Sequence, residues 1–63
     1  MGQNVNYKAL VIGSEHALEY EGISDKISGQ EIEVIYEFND NYYICKTKNG
    51  TEYDIPSHLL KKY

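Results

Sequence analysis

Between Gly29 and Pro56 the chain reads GQEIEVIYEFNDNYYICKTKNGTEYDIP, and this stretch limits the fold more than any other. From Glu31 to Phe38, one row holds Ile32, Val34, Tyr36 and Phe38, and the other holds Glu31, Glu33, Ile35 and Glu37. Strand side chains alternate between faces, so the pattern predicts a strand that buries the first row and wets the second. A helix would scatter the glutamates around its circumference. Asn39-Asp40-Asn41 supplies turn residues whose short polar side chains bond nearby backbone. Tyr42 to Thr47 is the next predicted strand, with Tyr43, Cys45 and Thr47 inward and Tyr42, Ile44 and Lys46 outward. Asn49-Gly50 predicts a tight hairpin of type I′, which needs positive φ at both central residues. Thr51 to Ile55 then returns antiparallel. Pro56 cannot donate a ladder bond, so the strand should stop there. Ser57-His58-Leu59 fits one 3₁₀ turn, and Leu60 to Tyr63 a short last strand.

Sixty-three residues make a single domain, 1–63, with a small core. Chains near this length bury only about 60% of the surface their unfolded form exposes. An efficient architecture is therefore required, and a compact barrel that closes its sheet edges is one. The single cysteine permits no internal disulfide, which excludes a stapled secreted mini-protein. Cys45 falls on the predicted inner face, where it reads as a small buried apolar residue rather than a reactive thiol.

Ahead of the central stretch, Tyr7 to Ile12 is a short apolar run ended by Gly13, predicted as the first strand, with residues 1–5 frayed. Between Gly13 and Gly29 lies SEHALEYEGISDKIS. His16, Ala17, Leu18 and Tyr20 could sustain one helical turn. A long irregular hairpin is preferred, with Gly22 near its middle and Ile23 and Ile27 anchoring the return arm. Glu15, Glu19, Glu21 and Asp25 make this loop acidic.

Ten acids face six lysines, with no arginine, for a formal net charge of −4. Nucleic-acid binders usually carry a basic, arginine-bearing stripe, so phosphate is disfavoured as a partner. No apolar run approaches the roughly 20 residues of a membrane span. The opening MGQNVNYK lacks a basic leader and an apolar stretch, and Asn6 breaks the myristoylation pattern, so a cytoplasmic protein with no membrane partner is expected.

The residue types that carry catalysis lack the spacing they need. Glu31, Glu33 and Glu37 on one outer row read as a solvated face, because dividing acid and base roles needs a pocket that separates their pKa values. Glu52 and Asp54 read the same way. His16, His58 and Cys45 lack the close spacing of a zinc site, and no metal is expected. Ser57 and His58 are sequence neighbours whose side chains diverge, unlike a nucleophile and its base. Gly13 and Gly22 lack the spacing of a phosphate loop. No cofactor and no catalytic residue is expected.

Seven tyrosines without a tryptophan are more than a core of this size can bury with every hydroxyl satisfied. Tyr36 and Tyr43 fit core or rim. Tyr20, Tyr42 and Tyr53 are candidates for an exposed aromatic patch, typical of protein-recognition surfaces. They also fit a plainer role as caps on the barrel edges.

The order of features resembles an SH3-type barrel. Ala9-Leu10 stands where SH3 domains have the Ala-Leu of their ALYDY motif. Gly29-Gln30-Glu31-Ile32-Glu33-Val34-Ile35 is similar to the family's G-D-x-L-x-V-L segment. Tyr42-Tyr43 occupies the place of the Trp-Trp pair, and Ile55-Pro56-Ser57-His58-Leu59-Leu60 resembles the closing [IV]-P-S-N-Y-V. The likeness runs from Tyr7 onward and rests on order and spacing. The family's ligand-stacking tyrosines are absent: Val11 and Gly13 replace the two of ALYDY, and Leu59 replaces that of the closing motif. Only Tyr42 and Pro56 of the proline-peptide groove stay in register. The resemblance, of the pared-down kind found in many bacterial and phage proteins, implies an all-β, five-stranded, partly open barrel. It implies a long acidic loop after strand 1 and a 3₁₀ turn before the last strand, but not proline-peptide specificity.

Together these features predict a non-enzymatic module that binds another protein, in a groove between Glu19–Glu21 and Pro56–Leu59 floored by Tyr42. The expected surface comprises Glu19, Tyr20, Glu21, Tyr42, Tyr53, Pro56, His58 and Leu59. Acids beside tyrosines favour a partner segment carrying Lys or Arg. The rivals are an RNA-binding barrel that stacks bases on tyrosine, and a subunit of a homo-oligomer joined through the Leu60–Tyr63 edge. A monomer or weak homo-oligomer is expected.

Overall fold

A computed structural model describes residues 2–63. Five antiparallel strands form one curled half-barrel: β1 (Gln3–Val11), β2 (Glu31–Glu37), β3 (Tyr42–Lys46), β4 (Glu52–Pro56) and β5 (Leu60–Lys62). Their spatial order is β4-β3-β2-β1-β5. The all-β expectation holds, including the Ser57–Leu59 3₁₀ turn before the last strand. β4 and β5 are the two edges, joined by that turn.

The inner face carries Ala9, Val11, Ile32, Val34, Cys45 and Ile55, all buried. Leu59 and Leu60 close one side of this core, and Leu18 and Ile23 come over it from the long connection. Gly13 lies against Leu59, where a built Cβ would meet the Leu59 side chain at 2.9 Å. The base of the connection is clamped by Gly29 N–H donating to Val11 O (2.9 Å) and Val11 N–H to Gln30 O (2.9 Å).

That connection is not a hairpin. It holds a short helix, α1 (Glu15–Tyr20), and a 3₁₀ turn at Asp25–Ile27. Ser14 caps α1, its hydroxyl accepting from the Ala17 N–H at 3.1 Å, which satisfies one of the orphan donors of a helix start. At the other end Gly22 takes φ +76°. The Ile23 N–H reaches Leu18 O (2.9 Å) and the Gly22 N–H reaches Glu19 O (3.0 Å), the paired bonds of a Schellman cap. Gly22 thus ends a helix instead of bending a hairpin. Burial of Leu18 and Ile23 over the open sheet favours this arrangement, since six helical residues alone would not hold.

Three further expectations are corrected. β1 starts at Gln3 rather than Tyr7, so residues 3–5 are strand, not frayed chain; Gly2 lies against the Tyr36 ring. The β3–β4 turn is not type I′, because only Gly50 has positive φ (+88°). Gly50 N–H donates to Thr47 O (3.0 Å) and Thr47 N–H to Thr51 O (2.9 Å). This is the longer hairpin loop, with glycine alone in the left-handed position.

The third correction is in β2. Val34 pairs with Cys45, but Tyr36 pairs with Ile44, so Ile35 is an extra residue relative to β3. Inward Val34 is therefore followed, past this irregularity, by outward Tyr36, inward Glu37 and outward Phe38. Tyr36 and Phe38 leave the predicted core row, and Glu37 leaves the predicted wet one. Phe38 is 58% exposed.

Candidate functional site

The register puts Tyr36, Ile44 and Asp54 in one row across the outer face of β2, β3 and β4. Beside this row, Phe38 and Tyr42 stand at the mouth of the β2–β3 turn. Phe38, Asn39, Tyr42, Ile44 and Asp54 line a shallow depression of ≈ 540 Å³. Phe38 and Tyr42 remain 58% and 45% exposed.

The turn that carries them is tightly tied. Asn39 Oδ1 accepts from the N–H of Asn41 (2.7 Å) and of Tyr42 (3.1 Å), the local bonding that suits asparagine to turns. Phe38 N–H donates to Tyr42 O at 3.1 Å. Ser57 grips the same turn from the 3₁₀ segment: its hydroxyl donates to Asp40 O (2.8 Å) and its N–H to Asn41 O (2.7 Å). The Ser57 hydroxyl is thus spent on the β2–β3 loop, and the 3₁₀ turn it begins has no side-chain cap.

The structure disperses the residues expected to share one groove. Tyr42 and Pro56 are cross-strand partners, so they lie together. Pro56 and Leu59 are buried, however, and present no side chain to a partner. Tyr53 pairs with Cys45, which turns it to the face opposite Tyr42. It lines a separate depression between the 3₁₀ turn at Asp25–Ile27 and the β3–β4 hairpin. Glu19, Tyr20 and Glu21 line neither depression; Tyr20 stands 86% exposed at the end of α1. Hydrogen bonding with Asp25, and then its negative charge, raises the Glu19 carboxyl above its ordinary value. His58 is exposed on its 3₁₀ turn. Phe38 and Asp54 are the site residues that the sequence pattern misassigned or passed over; Ile44, placed outward beside Tyr42, was the readable signal.

The β2 irregularity also builds a polar cluster on the inner face. Glu37 accepts a hydrogen bond from the Tyr7 hydroxyl (2.6 Å) and from Lys62 Nζ (3.3 Å). Lys62 lies 5.2 Å from the ring centres of both Tyr7 and Tyr43, within cation–π range. The bond from Tyr7, then Lys62, holds the Glu37 carboxyl below its ordinary value against the opposing effect of burial. Burial, then Glu37, pushes the Tyr7 phenol up to about 12. Burial by itself would lower Lys62, but Glu37 and Tyr43 outweigh it and raise the ammonium. Tyr7, Glu37 and Lys62 are thus mutually partnered, and each shift favours the form that group takes near neutrality. It ties β5 to β2 across the inside of the sheet.

Cys45 is buried, and burial followed by the charge of Asp54 pushes its thiol up to about 12. A thiol so protonated is a poor nucleophile and metal ligand. Among the described residues, no group of three His, Cys, Asp or Glu side chains is placed to hold a metal ion. No helix among them is long and apolar enough to cross a membrane. Compared with known proteins, the chain matches no family model, no curated protein and no solved structure.

Proposed function

We propose that this chain is a non-enzymatic, cytoplasmic binding module of the SH3-like kind, acting as a monomer. Its partner is a protein segment that carries lysine or arginine beside an apolar side chain. The observation that supports this most directly is the depression formed by Phe38, Tyr42 and Ile44 with Asp54 on its wall. Exposed aromatics on a rigid support are the usual anchors of protein recognition. The anchored turn at Asn39–Asn41 means that little ordering entropy is lost when a segment docks. Asp54 and Asp40, in a chain of net charge −4, select a basic segment and hasten its encounter. The site retains Tyr42 from the sequence-based surface and extends it along the outer face to Phe38 and Ile44.

An array of nine-residue peptides, varied in Lys/Arg against Asp/Glu content and in apolar side chains, tests this by fluorescence anisotropy. Basic-apolar peptides should bind. Tyr42→Ala and Phe38→Ala should each weaken them about tenfold, the loss typical of an interface anchor, with the unfolding midpoint little changed. Binding that survives both substitutions would place the surface elsewhere. A single-stranded RNA that outcompetes the peptides would replace the reading altogether.

A further inference from the structure

The second depression differs in chemistry from the first. It measures ≈ 570 Å³ and is walled on one side by residues of the Asp25–Ile27 turn and on the other by the β3–β4 hairpin. That volume is within the range of small-molecule sites, about 300–1,000 Å³. Its apolar lining is Ile27, Ile32 and Tyr53, of which Ile32 belongs to the core. Lys26 contributes from one wall and Lys48 from the other. Among the described residues, only Lys8 and Lys62 pair with a carboxylate, so neither lysine of this depression is neutralised within the chain. The one acid on its lining, Glu31, is already engaged by Lys8 at 3.5 Å. Thr47 Oγ1 accepts from the Thr51 N–H at 3.2 Å, leaving its own hydroxyl hydrogen available to donate. A chain of net charge −4 thus keeps here a concave, apolar-floored site in which the uncompensated charge is positive.

We propose that this depression binds a small organic phosphomonoester: a doubly charged phosphate held between Lys26 and Lys48, with its flat apolar body against Ile27 and Tyr53. Two ammonium groups from separate walls match a dianion better than a carboxylate, and lysine serves phosphate as a mobile point charge. The Thr47 hydroxyl donates to a phosphate oxygen. The apolar floor supplies what bare phosphate cannot use, so affinity depends on both halves of the ligand. This site is separate from the Tyr42 face, and its failure would leave the protein-binding proposal standing.

Amide-shift titrations on the whole chain with phenyl phosphate, inorganic phosphate and benzyl alcohol test it. Phenyl phosphate should shift amides in 24–32 and 47–53 saturably, and the other two probes should bind at least about tenfold more weakly. The double substitution Lys26→Gln/Lys48→Gln should weaken phenyl phosphate by about tenfold or more and leave the thermal midpoint in place, because neither lysine has an ion pair to lose. Three results would overturn the proposal: no shifts in those segments, equal response to inorganic phosphate, or undiminished binding after the double substitution. An oligonucleotide that binds more tightly than phenyl phosphate, with a steep loss as salt rises, would also overturn it in favour of nucleic acid.

Discussion

The two halves of β2 follow different rules. From Glu31 to Val34 the strand alternates as its sequence suggests, with Ile32 and Val34 in the core and Glu31 and Glu33 outside. From Ile35 onward the faces are exchanged, so a glutamate points inward and a phenylalanine outward. One extra residue relative to β3 produces both results: the Tyr7–Glu37–Lys62 cluster inside and the Phe38–Tyr42–Ile44 surface outside. Polarity at a single position therefore does not tell which face it occupies. The register does.

The contrast between the halves can be broken most forcefully in the first. Ile32→Ala, which empties a buried position, should cost about 3 kcal/mol. That is a large share of the roughly 3–9 kcal/mol expected for a chain of this length, and urea unfolding would show it as a marked drop in midpoint. If the second half were packed in the same way, Phe38→Ala would cost as much.

Next in size is the inner cluster. Tyr7→Phe removes the 2.6 Å hydrogen bond to Glu37 and should cost on the order of 1 kcal/mol. Glu37→Gln should lower the urea midpoint clearly, whereas Glu33→Gln, on the regular half, should leave it nearly unchanged. Equal effects at the two glutamates would mean that Glu37 is as solvated as its sequence pattern suggests.

The same cluster, together with Cys45, sets a pH dependence. Tyr7 and Cys45 have folded values near 12 against ordinary values of 10 and 9. Both are acids whose neutral forms the fold favours. Their contribution is complete below about pH 9, begins to fall as the unfolded forms ionise, and is lost as pH rises to about 12. Glu37 works in the opposite sense: its lowered folded value adds stability above the ordinary carboxylate range, lost as pH falls through the folded value. Stability measured against pH should show both limbs, and Tyr7→Phe should flatten each of them. An unchanged alkaline limb in that variant would show that Tyr7 has no part in it.

The smallest effect expected on stability is that of Phe38→Ala, within about 0.5 kcal/mol for an exposed side chain, although it should remove much of the peptide binding. A large loss of stability there would erase the distinction between the halves.

Much of this architecture could be read from the chain. Strand alternation, the apolar run before Gly13, the turn residues at Asn39–Asn41 and Asn49–Gly50, and Pro56 located all five strands, the first with a late start, and the closing 3₁₀ turn. Ile35 was the residue that periodicity could not handle. It is an apolar side chain in an otherwise acidic row, and an inserted residue leaves no other trace in composition. The identity of α1 was hidden for a different reason. Glu15, Ala17, Leu18 and Glu19 favour helix, but six residues are too few to hold one alone, and the deciding signals were its caps at Ser14 and Gly22 and the tertiary burial of Leu18. At the site, Tyr42 was recognisable as an exposed aromatic, while Phe38 was concealed by the same shift that exposes it. The grouping of Tyr53 with Tyr42 failed because cross-strand register, and not residue type, sends the two rings to opposite faces.

Ser57 has a consequence beyond the turn it holds. Its paired bonds to Asp40 and Asn41 couple the β2–β3 loop to the segment that leads into β5. A ligand seated on Phe38 and Tyr42 therefore presses on the closing edge of the half-barrel as well as on the loop. Occupancy at that surface should slow hydrogen exchange at Leu60 and Lys61, two residues the ligand never touches.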